Sequence, residues 1–315
     1  MKSTSRKLLT VDVVGRELIA RDVVQLRVQR ADGAELPSWA PGAHVDVYLP
    51  GMLRHYSLCG DPADLTSYEF AVLFEPAGRG GSRYVHEQVQ VGSQLQIARP
   101  RNHFKLVDAP GYVFVAGGIG ITPIRAMVSA CERSGKPWVL YYGGRHEDSM
   151  AYFDEFSKLG SAHLLPQDIH GLLNLSAILA EAPDGFAIYC CGPERLLHAI
   201  EEAALAVGRI VHVERFAPAV AKHQFSDRPV TVVCAESGQT VQVGAQVTVL
   251  DALIAAGVDV NYDCRDGTCG TCELEVVEGD PEHRDAILSL RDRLSGRVMY
   301  PCVSRARGDR LILDV

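Results

Sequence analysis

The sequence lacks any apolar run long enough to cross a bilayer. Its longest such run, residues 112–121, has ten residues, three of them glycine, whereas a spanning helix needs about 20. The start of the chain is basic, but Asp12 and Arg16 interrupt any apolar stretch that follows, so we expect no signal peptide. These features predict a cytoplasmic protein that is not bound to a membrane.

An excess of positive charge is also missing. The chain has 31 basic and 39 acidic residues and a net charge of −8, which argues against nucleic acid as the main partner. Hydrophobic residues make up 47% and charged residues 22%, which are ordinary values for a folded globular protein and exclude disorder and collagen-like repeats. A length of 315 residues predicts two or three domains.

The residue patterns of common hydrolytic sites are absent as well. The sequence contains no Ser-His-Asp order with a nucleophile elbow and no H-x-x-H pair. The 11 histidines, among them His55, His86 and His103, have no partner at ligand spacing. We therefore expect them to be surface or structural residues, and we expect no group that activates oxygen or a carbon substrate.

Cysteine is present in an odd number, nine. Without an expected export signal, a disulfide framework is less favoured than metal ligation or buried thiols. Four cysteines have no motif around them that implies ligation, and we expect each of these to be a small buried hydrophobe: Cys59, Cys131, Cys190 and Cys234.

The pattern of apolar residues divides the chain into three predicted domains, residues 1–107, 108–216 and 229–315, with residues 217–228 as a linker between the last two. In the first domain, short β-like runs alternate with glycine-rich turns, which is typical of a small antiparallel β-barrel or sandwich. In the second, apolar strands alternate with helices, which predicts an α/β domain with a parallel sheet covered on both faces. Its predicted strands are residues 112–116, 138–142 and 186–191, and its predicted helices are residues 123–134 and 194–206. The β-like runs of the first domain are residues 8–14, 23–29, 44–49, 68–73 and 94–98.

The third domain carries most of the negative charge. Residues 229–315 include 14 acidic residues, eight arginines and no lysine, so their net charge is −6. Alternating strands at residues 230–233 and 240–243 precede a helix that we expect to begin after Thr248 and to end at Gly257. The negative charge of this domain would attract a basic docking face on a partner protein, and the attraction would weaken as the salt concentration rises.

Four cysteines of this domain form the most specific motif in the chain. Cys264, Cys269 and Cys272 have the spacing C-x4-C-x2-C, and Cys302 follows at a distance, as in plant-type [2Fe–2S] ligation. Glycines between the first three can curl the backbone around a cluster and leave N–H groups free for its sulfurs. A structural zinc site is the alternative. Residues 229–315 resemble the plant-type ferredoxin domain, which implies an α+β fold of the β-grasp type.

An anion site is predicted in the first domain. The motif R-x-Y-S and a glycine-rich segment, residues 78–82, precede a predicted helix, an arrangement that can hold a phosphate. In this order, ahead of a nucleotide-type domain, the two motifs resemble the flavin domain of the ferredoxin reductase-like superfamily. That resemblance assigns the flavin contacts to Arg54, Tyr56, Ser57, Gly80, Gly81 and Ser82, and to Phe216 of a later E-x-F motif.

A dinucleotide site is predicted in the second domain. The motif G-x-G-x-x-P contains Gly118, Gly120, Thr122 and Pro123, and its N–H groups can face a pyrophosphate. A second motif, C-G-P, comprises Cys191, Gly192 and Pro193 and falls at the ligand edge of the sheet. In the reductase superfamily this cysteine lies beside the nicotinamide, which makes Cys191 the candidate catalytic residue.

The choice of coenzyme depends on the loop after the second strand of that sheet. Arg145 can serve the adenosine end and an NADP phosphate there, but Glu147 and Asp148 follow it and would repel that phosphate. We therefore favour NADH over NADPH.

Nearly the whole chain, in the order flavin, nucleotide and ferredoxin domain, resembles the phthalate dioxygenase reductase family, which includes the vanillate demethylase reductases. The sequence G-A-H-V-D-V-Y-L-P, then R-H-Y-S-L, carries the likeness. It implies FMN, with FAD as the alternative, and an NADH-dependent reductase that passes electrons through FMN and a [2Fe–2S] cluster to a terminal oxygenase of the Rieske type. We expect a monomer when free. The alternatives are a non-enzymatic redox-sensing or zinc-stabilised interaction module, and an electron donor to a haem protein.

Overall fold

The computed structural model describes residues 8–216, 228–262 and 264–315. The predicted linker, except for Arg228, lies outside these residues. The chain divides into two compact units, one that ends at Glu214 and one that spans Arg215–Val315. The predicted domain boundaries remain predictions. Within the described ranges, no helix is both long and apolar enough to cross a membrane.

The first sheet of the larger unit is antiparallel and has six strands in the order β4-β3-β6-β1-β2-β5. Leu58, just after β4, bridges to Phe70 in β5, so the two outer strands meet and the sheet closes into a barrel. Alternate residues point inward and form an aliphatic core around Val11, Leu26 and Val47. The elements are β1 (Leu9–Ala20), β2 (Val23–Arg30), β3 (His44–Leu49), β4 (Met52–Ser57), β5 (Tyr68–Leu73), α1 (Gly81–Gln88) and β6 (Gln94–Ile97).

The second sheet of this unit is parallel and has five strands in the order β11-β10-β7-β8-β9. All six residues of β7 are buried, because helices and the barrel cover both faces of the sheet. The elements are β7 (Tyr112–Gly117), α2 (Ile121–Ser134), β8 (Trp138–Gly144), α3 (Phe153–Phe156), β9 (Ala162–Pro166), α4 (Gln167–His170), α5 (Leu175–Glu181), β10 (Ala187–Cys191), α6 (Glu194–Ala206) and β11 (Val211–Glu214).

The smaller unit contains a mixed sheet in the order β13-β12-β18-β14-β16 and a two-stranded sheet, β15-β17. The pairing of β12 with β18 is parallel, and α7 begins at the predicted cap, since the Thr248 side chain accepts a hydrogen bond from the Asp251 N–H. The elements are β12 (Val230–Cys234), β13 (Thr240–Val243), α7 (Val249–Ala255), β14 (Leu274–Glu278), β15 (Pro281–Glu282), α8 (Leu290–Ser295), β16 (Val298–Met299), β17 (Arg305–Ala306) and β18 (Arg310–Leu313). The predicted fold class, with three kinds of sheet, is confirmed.

Candidate cofactor sites

The barrel carries an anion site where β4 meets the start of α1. The Arg54 guanidinium donates to the carbonyl of Arg79 at 2.8 Å, which holds it beside the first turn of α1. A Cβ on Gly81 would lie 2.3 Å from Arg54 Nε, so a larger residue there would displace the Arg54 side chain. Gly80, just before the helix, has a positive φ of 84°. Because the first N–H groups of a helix lack helical partners, this site can hold the phosphate of a flavin.

The other predicted flavin residues of the barrel lie close to this site. Tyr56 stacks on Phe70 with ring centroids 5.3 Å apart, and burial raises the pKa of Tyr56 to about 12, so its ring is neutral. The Ser82 hydroxyl accepts a hydrogen bond from the Glu75 N–H at 3.0 Å, which ties the start of α1 to the segment after β5. These contacts position the residues that would surround a flavin.

The dinucleotide motif lies between β7 and α2. A 3₁₀ turn, Gly118–Gly120, follows the strand, and α2 begins at Ile121, two residues before the predicted start at Pro123. The Thr122 hydroxyl donates to the carbonyl of Ile119 at 2.9 Å, so it stabilises the turn itself. The N–H groups at the start of a 14-residue helix provide the polarity that a pyrophosphate needs.

Gly120 allows this turn to pack directly on the end of β10. A Cβ there would lie 2.2 Å from the carbonyl oxygen of Cys191 and 2.6 Å from the nitrogen of Gly192. Gly192 is similarly enclosed, since its Cβ would lie 2.9 Å from a methyl carbon of Leu196. Pro193 then forms the N-terminal cap of α6. The two predicted motifs, G-x-G-x-x-P and C-G-P, are thus in contact at the carboxyl edge of the sheet.

Three side chains converge where the barrel meets this edge. Cys191 and Glu214 are neighbours in the parallel strands β10 and β11, with Sγ and Oε2 3.9 Å apart. The Ser57 hydroxyl, at the end of β4, donates to the same oxygen of Glu214 at 3.5 Å. Cys190 faces the opposite core of the sheet. The Ser57–Cys191–Glu214 group joins residues of the predicted flavin and nicotinamide sites.

Both acidic members of this group are neutral at pH 7. Burial raises the pKa of Glu214 to about 8, against the opposing effect of the hydrogen bonds with Ser57 and Cys191. Burial and the nearby Glu214 carboxyl hold the pKa of Cys191 well above its ordinary value. Since the thiolate is the nucleophile, Cys191 can line the site but is not poised for covalent catalysis. The sequence assigned no role to Glu214, although it is the first residue of the E-x-F motif.

Two further predicted site residues are exposed to solvent. Arg145 follows β8 and is exposed to solvent. Phe216 follows β11 by two residues, and 46% of it is exposed.

The four predicted metal ligands form two pairs of thiols. The hydrogen bond from Cys264 lowers the pKa of Cys269 to about 4, and the hydrogen bond with Cys272 raises the pKa of Cys302. The charge of Cys269 also acts on Cys302, which indicates that the two pairs are close. Only Cys264 is partly exposed; the other three are buried.

The loop that carries three of these thiols is shaped for a cluster. The Asp266 N–H donates to Cys264 Sγ at 3.3 Å, the type of bond that stabilises a thiolate ligand. Gly267 has a positive φ of 68°, and a Cβ there would lie 2.6 Å from a methyl carbon of Val303. The loop therefore packs tightly against the segment of Cys302. Four sulfur ligands with backbone donors fit a [2Fe–2S] cluster.

A group of histidines lies on β3 and β4, although their sequence spacing did not predict it. One ligand atom each of His44, Asp46 and His55 lies within 4.8 Å of the other two. Arg101 donates to both oxygens of Asp46, at 2.6 and 2.7 Å. Burial opposes ionisation, but the His55 hydrogen bond and the Arg101 charge hold the pKa of Asp46 well below its usual range. Because Arg101 already balances this carboxylate, we assign no metal to the group.

Comparisons with known proteins identify two of the three kinds of domain. Residues 232–307 match the 2Fe-2S iron-sulfur cluster binding domain family, and residues 114–170 match the oxidoreductase NAD-binding domain family. The chain is 42% identical to the phenoxybenzoate dioxygenase subunit beta of Ectopseudomonas oleovorans over 92% of this chain and 91% of that protein. It is 37% identical to the vanillate O-demethylase oxidoreductase of Pseudomonas sp. (strain HR199 / DSM 7063), over 98% of this chain and all of that protein.

A solved structure of phthalate dioxygenase reductase, described as modular for electron transfer from pyridine nucleotides to [2Fe–2S], has a TM-score of 0.69 and 31% identity, with 98% of both chains covered. The chain belongs to the phthalate dioxygenase reductase family. A self-sufficient cytochrome P450 monooxygenase of type IV is also similar, with a TM-score of 0.82 and 41% identity. The matched region includes 98% of this chain but only 41% of the P450 chain.

Membership of this family makes the reductase an oxidoreductase that transfers electrons, which confirms the predicted enzyme class. The three predicted kinds of cofactor are confirmed: a [2Fe–2S] cluster, a nicotinamide nucleotide and the flavin of the phthalate dioxygenase reductase architecture. The non-enzymatic alternative is thereby excluded.

Proposed function

We propose that this chain is the NADH-dependent reductase component of a two-component oxygenase, in which electrons pass from NADH through FMN and the [2Fe–2S] cluster to a terminal oxygenase of the Rieske type. The single observation that carries this proposal is the Ser57–Cys191–Glu214 group. Ser57 belongs to the barrel, and the other two belong to the parallel sheet, yet all three belong to one compact unit. A flavin held by the barrel and a nicotinamide held by the sheet would therefore meet there.

The residues of the reductase bind and orient the cofactors. Arg54 and the start of α1 would hold the FMN phosphate, and the turn before α2 would hold the pyrophosphate of NADH. Cys191 would close the nicotinamide site with a neutral, non-reactive side chain. When bound, the flavin accepts a pair of electrons as hydride and releases them singly. The four cysteines Cys264, Cys269, Cys272 and Cys302 would hold the one-electron acceptor.

The partner is proposed from the relatives and from charge. Relatives that the chain matches along nearly its full length are named as parts of a dioxygenase or a demethylase, and residues 229–315 carry a net charge of −6, which favours docking to a basic surface. A haem protein is the second candidate, because the reductase is 41% identical to part of a P450 monooxygenase.

Rapid mixing with NADH under nitrogen tests the electron order. The absorbance of the flavin is expected to fall before that of the cluster, and subsequent mixing with an oxidised Rieske oxygenase should restore the cluster band. A purified P450 serves as the second acceptor. If the P450 reoxidises the cluster and the Rieske oxygenase does not, the partner is a haem protein. Reduction of the cluster before the flavin is reduced would contradict the proposed order of electron transfer.

The protonation of Glu214 predicts a pH dependence for flavin reduction. Its carboxyl is neutral below a pKa of about 8 and anionic above it. Because hydride transfer adds negative charge to the flavin, an anion 3.5 Å from the Ser57 hydroxyl opposes that step. The rate constant of flavin reduction by NADH should therefore fall as the pH rises through about 8. Glu214→Gln should remove this decline, and an unchanged decline in the variant would contradict the role of the carboxyl.

The same pKa links Glu214 to stability. An unfolded glutamate has a pKa of about 4.5 and the folded one of about 8, so the folded chain binds a proton that the unfolded chain releases. The stabilisation is fully present below pH 4.5 and is lost as the pH rises to about 8. Glu214→Gln should therefore unfold at a higher temperature than the parent protein when both are heated above pH 8, which calorimetry can measure.

A further inference from the structure

One arginine of α2 joins the barrel to the helices beside the parallel sheet. Arg125 Nη1 donates a hydrogen bond to the carbonyl of Cys59, which follows β4 of the barrel, at 2.7 Å. Its Nε donates to both carboxylate oxygens of Glu155 in α3, at 2.9 and 3.0 Å. A second barrel residue, Glu69 of β5, has its carboxylate 3.4 Å from Nη1. The guanidinium therefore holds α2 and α3 against the barrel.

The two ends of this contact lie close to the two cofactor sites. Cys59 is two residues beyond Ser57, the residue of β4 that bonds to Glu214. Arg125 is four residues beyond Ile121, where α2 begins directly after the pyrophosphate turn. Two residues of chain span at most about 7 Å, and four helical residues span about 6 Å. A shift of the guanidinium would therefore move the flavin site relative to the coenzyme site.

An aromatic side chain packs on the same arginine. The centre of the Tyr152 ring lies 4.5 Å from Arg125 Cζ, which is a cation–π distance. The Tyr152 hydroxyl donates to Gln25 Oε1 of β2 at 2.9 Å and lies 3.1 Å from Cys59 Sγ. Tyr152 has a φ of 63°, in the left-handed region that a tyrosine rarely adopts, so its surroundings must hold it there. The barrel thus holds Tyr152, and Tyr152 holds the guanidinium.

Burial distinguishes this contact from a second ion pair between α2 and the barrel. Cys59 and Tyr152 are buried, and the Arg125 side chain is 21% exposed. Arg133, near the end of α2, pairs with Asp61 after β4 at 2.6 Å, but the Arg133 side chain is 45% exposed. Exposed ion pairs contribute little, whereas a largely buried guanidinium with several acceptors keeps its geometry. Arg125 rather than Arg133 therefore fixes α2 on the barrel.

We propose that Arg125, supported by Tyr152, sets the distance between the flavin site of the barrel and the nicotinamide site of the sheet. In the step that depends on this distance, NADH is oxidised to NAD⁺ as its hydride, with both electrons, reduces the flavin. A misplacement of about 1 Å can slow such a step about a hundredfold. Arg125 acts through Cys59 and through α2, so it is a positioning residue. This inference rests on the proposed function, because it takes NADH as the reductant of a flavin held by the barrel.

Stopped-flow mixing of the holoprotein with NADH under nitrogen separates the rate constant of flavin reduction from the dissociation constant of NADH. Arg125→Met keeps an unbranched side chain and removes its donors and its charge. The rate constant should fall by about ten- to a hundredfold in this variant. The dissociation constant should stay within about twofold of the parent value, because the pyrophosphate turn is unaltered. Arg125→Lys lacks the planar fork that reaches Cys59 and Glu155 together, so its rate constant should fall by a smaller factor.

Two readouts do not depend on electron transfer. ADP-ribose, which lacks the nicotinamide, should bind to Arg125→Met with the parent affinity when measured by calorimetry. The buried thiol of Cys59 contacts Tyr152 where the barrel meets α2, so iodoacetamide should alkylate it about tenfold faster in the variant. Cys190 is buried in the core on the other face of the parallel sheet. Its rate of alkylation reports on general unfolding and should stay at the parent value.

Arg133→Gln is the matched control, because it removes the exposed arginine contact between α2 and the barrel. Its rate constant of flavin reduction should stay within about twofold of the parent value. An unchanged rate constant in an Arg125→Met protein with full flavin content would overturn the assignment. Equally faster alkylation of Cys59 and Cys190 would also overturn it, because the effect would then be a general loss of stability. If NADH does not reduce the flavin of the parent holoprotein, the proposed function itself fails.

Discussion

Replacing Cys269 by serine is expected to abolish electron delivery to the oxygenase and to spare the flavin. Cys269 is one of the four proposed sulfur ligands and is 3% exposed, and the hydrogen bond from Cys264 lowers the pKa of its thiol. A serine hydroxyl is a poor ligand for a cluster that prefers thiolates. We expect reduction of the terminal oxygenase to fall by about a hundredfold or more, while NADH-dependent reduction of ferricyanide at the flavin stays within about twofold of the parent value.

A second cysteine of the same unit provides the control. Cys234 is fully buried in the hydrophobic core and lies outside the ligand motif, so Cys234→Ser tests the cost of a buried hydroxyl without the loss of a ligand. This variant should retain its iron and its delivery of electrons. Loss of both activities in a Cys269→Ser protein that still holds flavin would contradict the order in which the cluster follows the flavin.

Replacing Gly120 by alanine should have the second largest effect, on the use of NADH. The added Cβ would lie 2.2 Å from the carbonyl oxygen of Cys191, and a backbone atom cannot turn away as a side chain can. The pyrophosphate turn must therefore separate from the end of β10, at a cost of about 1–3 kcal/mol. Because that turn also orients the coenzyme toward Cys191, kcat/KM for NADH should fall by about a hundredfold.

Gly160→Ala is the matched control for this substitution. No atom lies within 4 Å of the Cβ that it would add, so stability and activity should be unchanged. Reduction of the flavin by dithionite, and flavin content, should be normal in both variants if the barrel is intact. An alanine at Gly120 that leaves kcat/KM for NADH at the parent value would show that the turn does not bind the coenzyme.

The sequence predicted the elements whose patterns are local and strong. Strands such as Tyr112–Gly117 are apolar throughout because both faces of the sheet are covered, and Glu194–Ala206 was predicted with its observed ends. Eight strands were missed: β4, β9, β11 and all five from β14 to β18. Seven of these eight have five residues or fewer, which is too short for an alternating hydrophobic pattern to stand out.

The candidate sites likewise differ in how local their sequence signals are. The cysteine motif was readable because three ligands must come from one short loop, and the glycine motifs because a close backbone approach needs glycine. The role of Glu214 could not be read from the sequence, because its contact with Ser57 joins residues 157 positions apart in the chain. That contact depends on how the barrel packs on the sheet.

Anaerobic titration of the purified chain with NADH tests the central claim most directly, when combined with analysis of flavin, iron and acid-labile sulfide. We expect one flavin and one [2Fe–2S] cluster in each chain, and an uptake of three electrons, two by the flavin and one by the cluster. The reduced cluster should then give a paramagnetic resonance signal. A colourless protein that contains zinc, or a flavin that is reduced by NADH while the cluster stays oxidised, would contradict the claim.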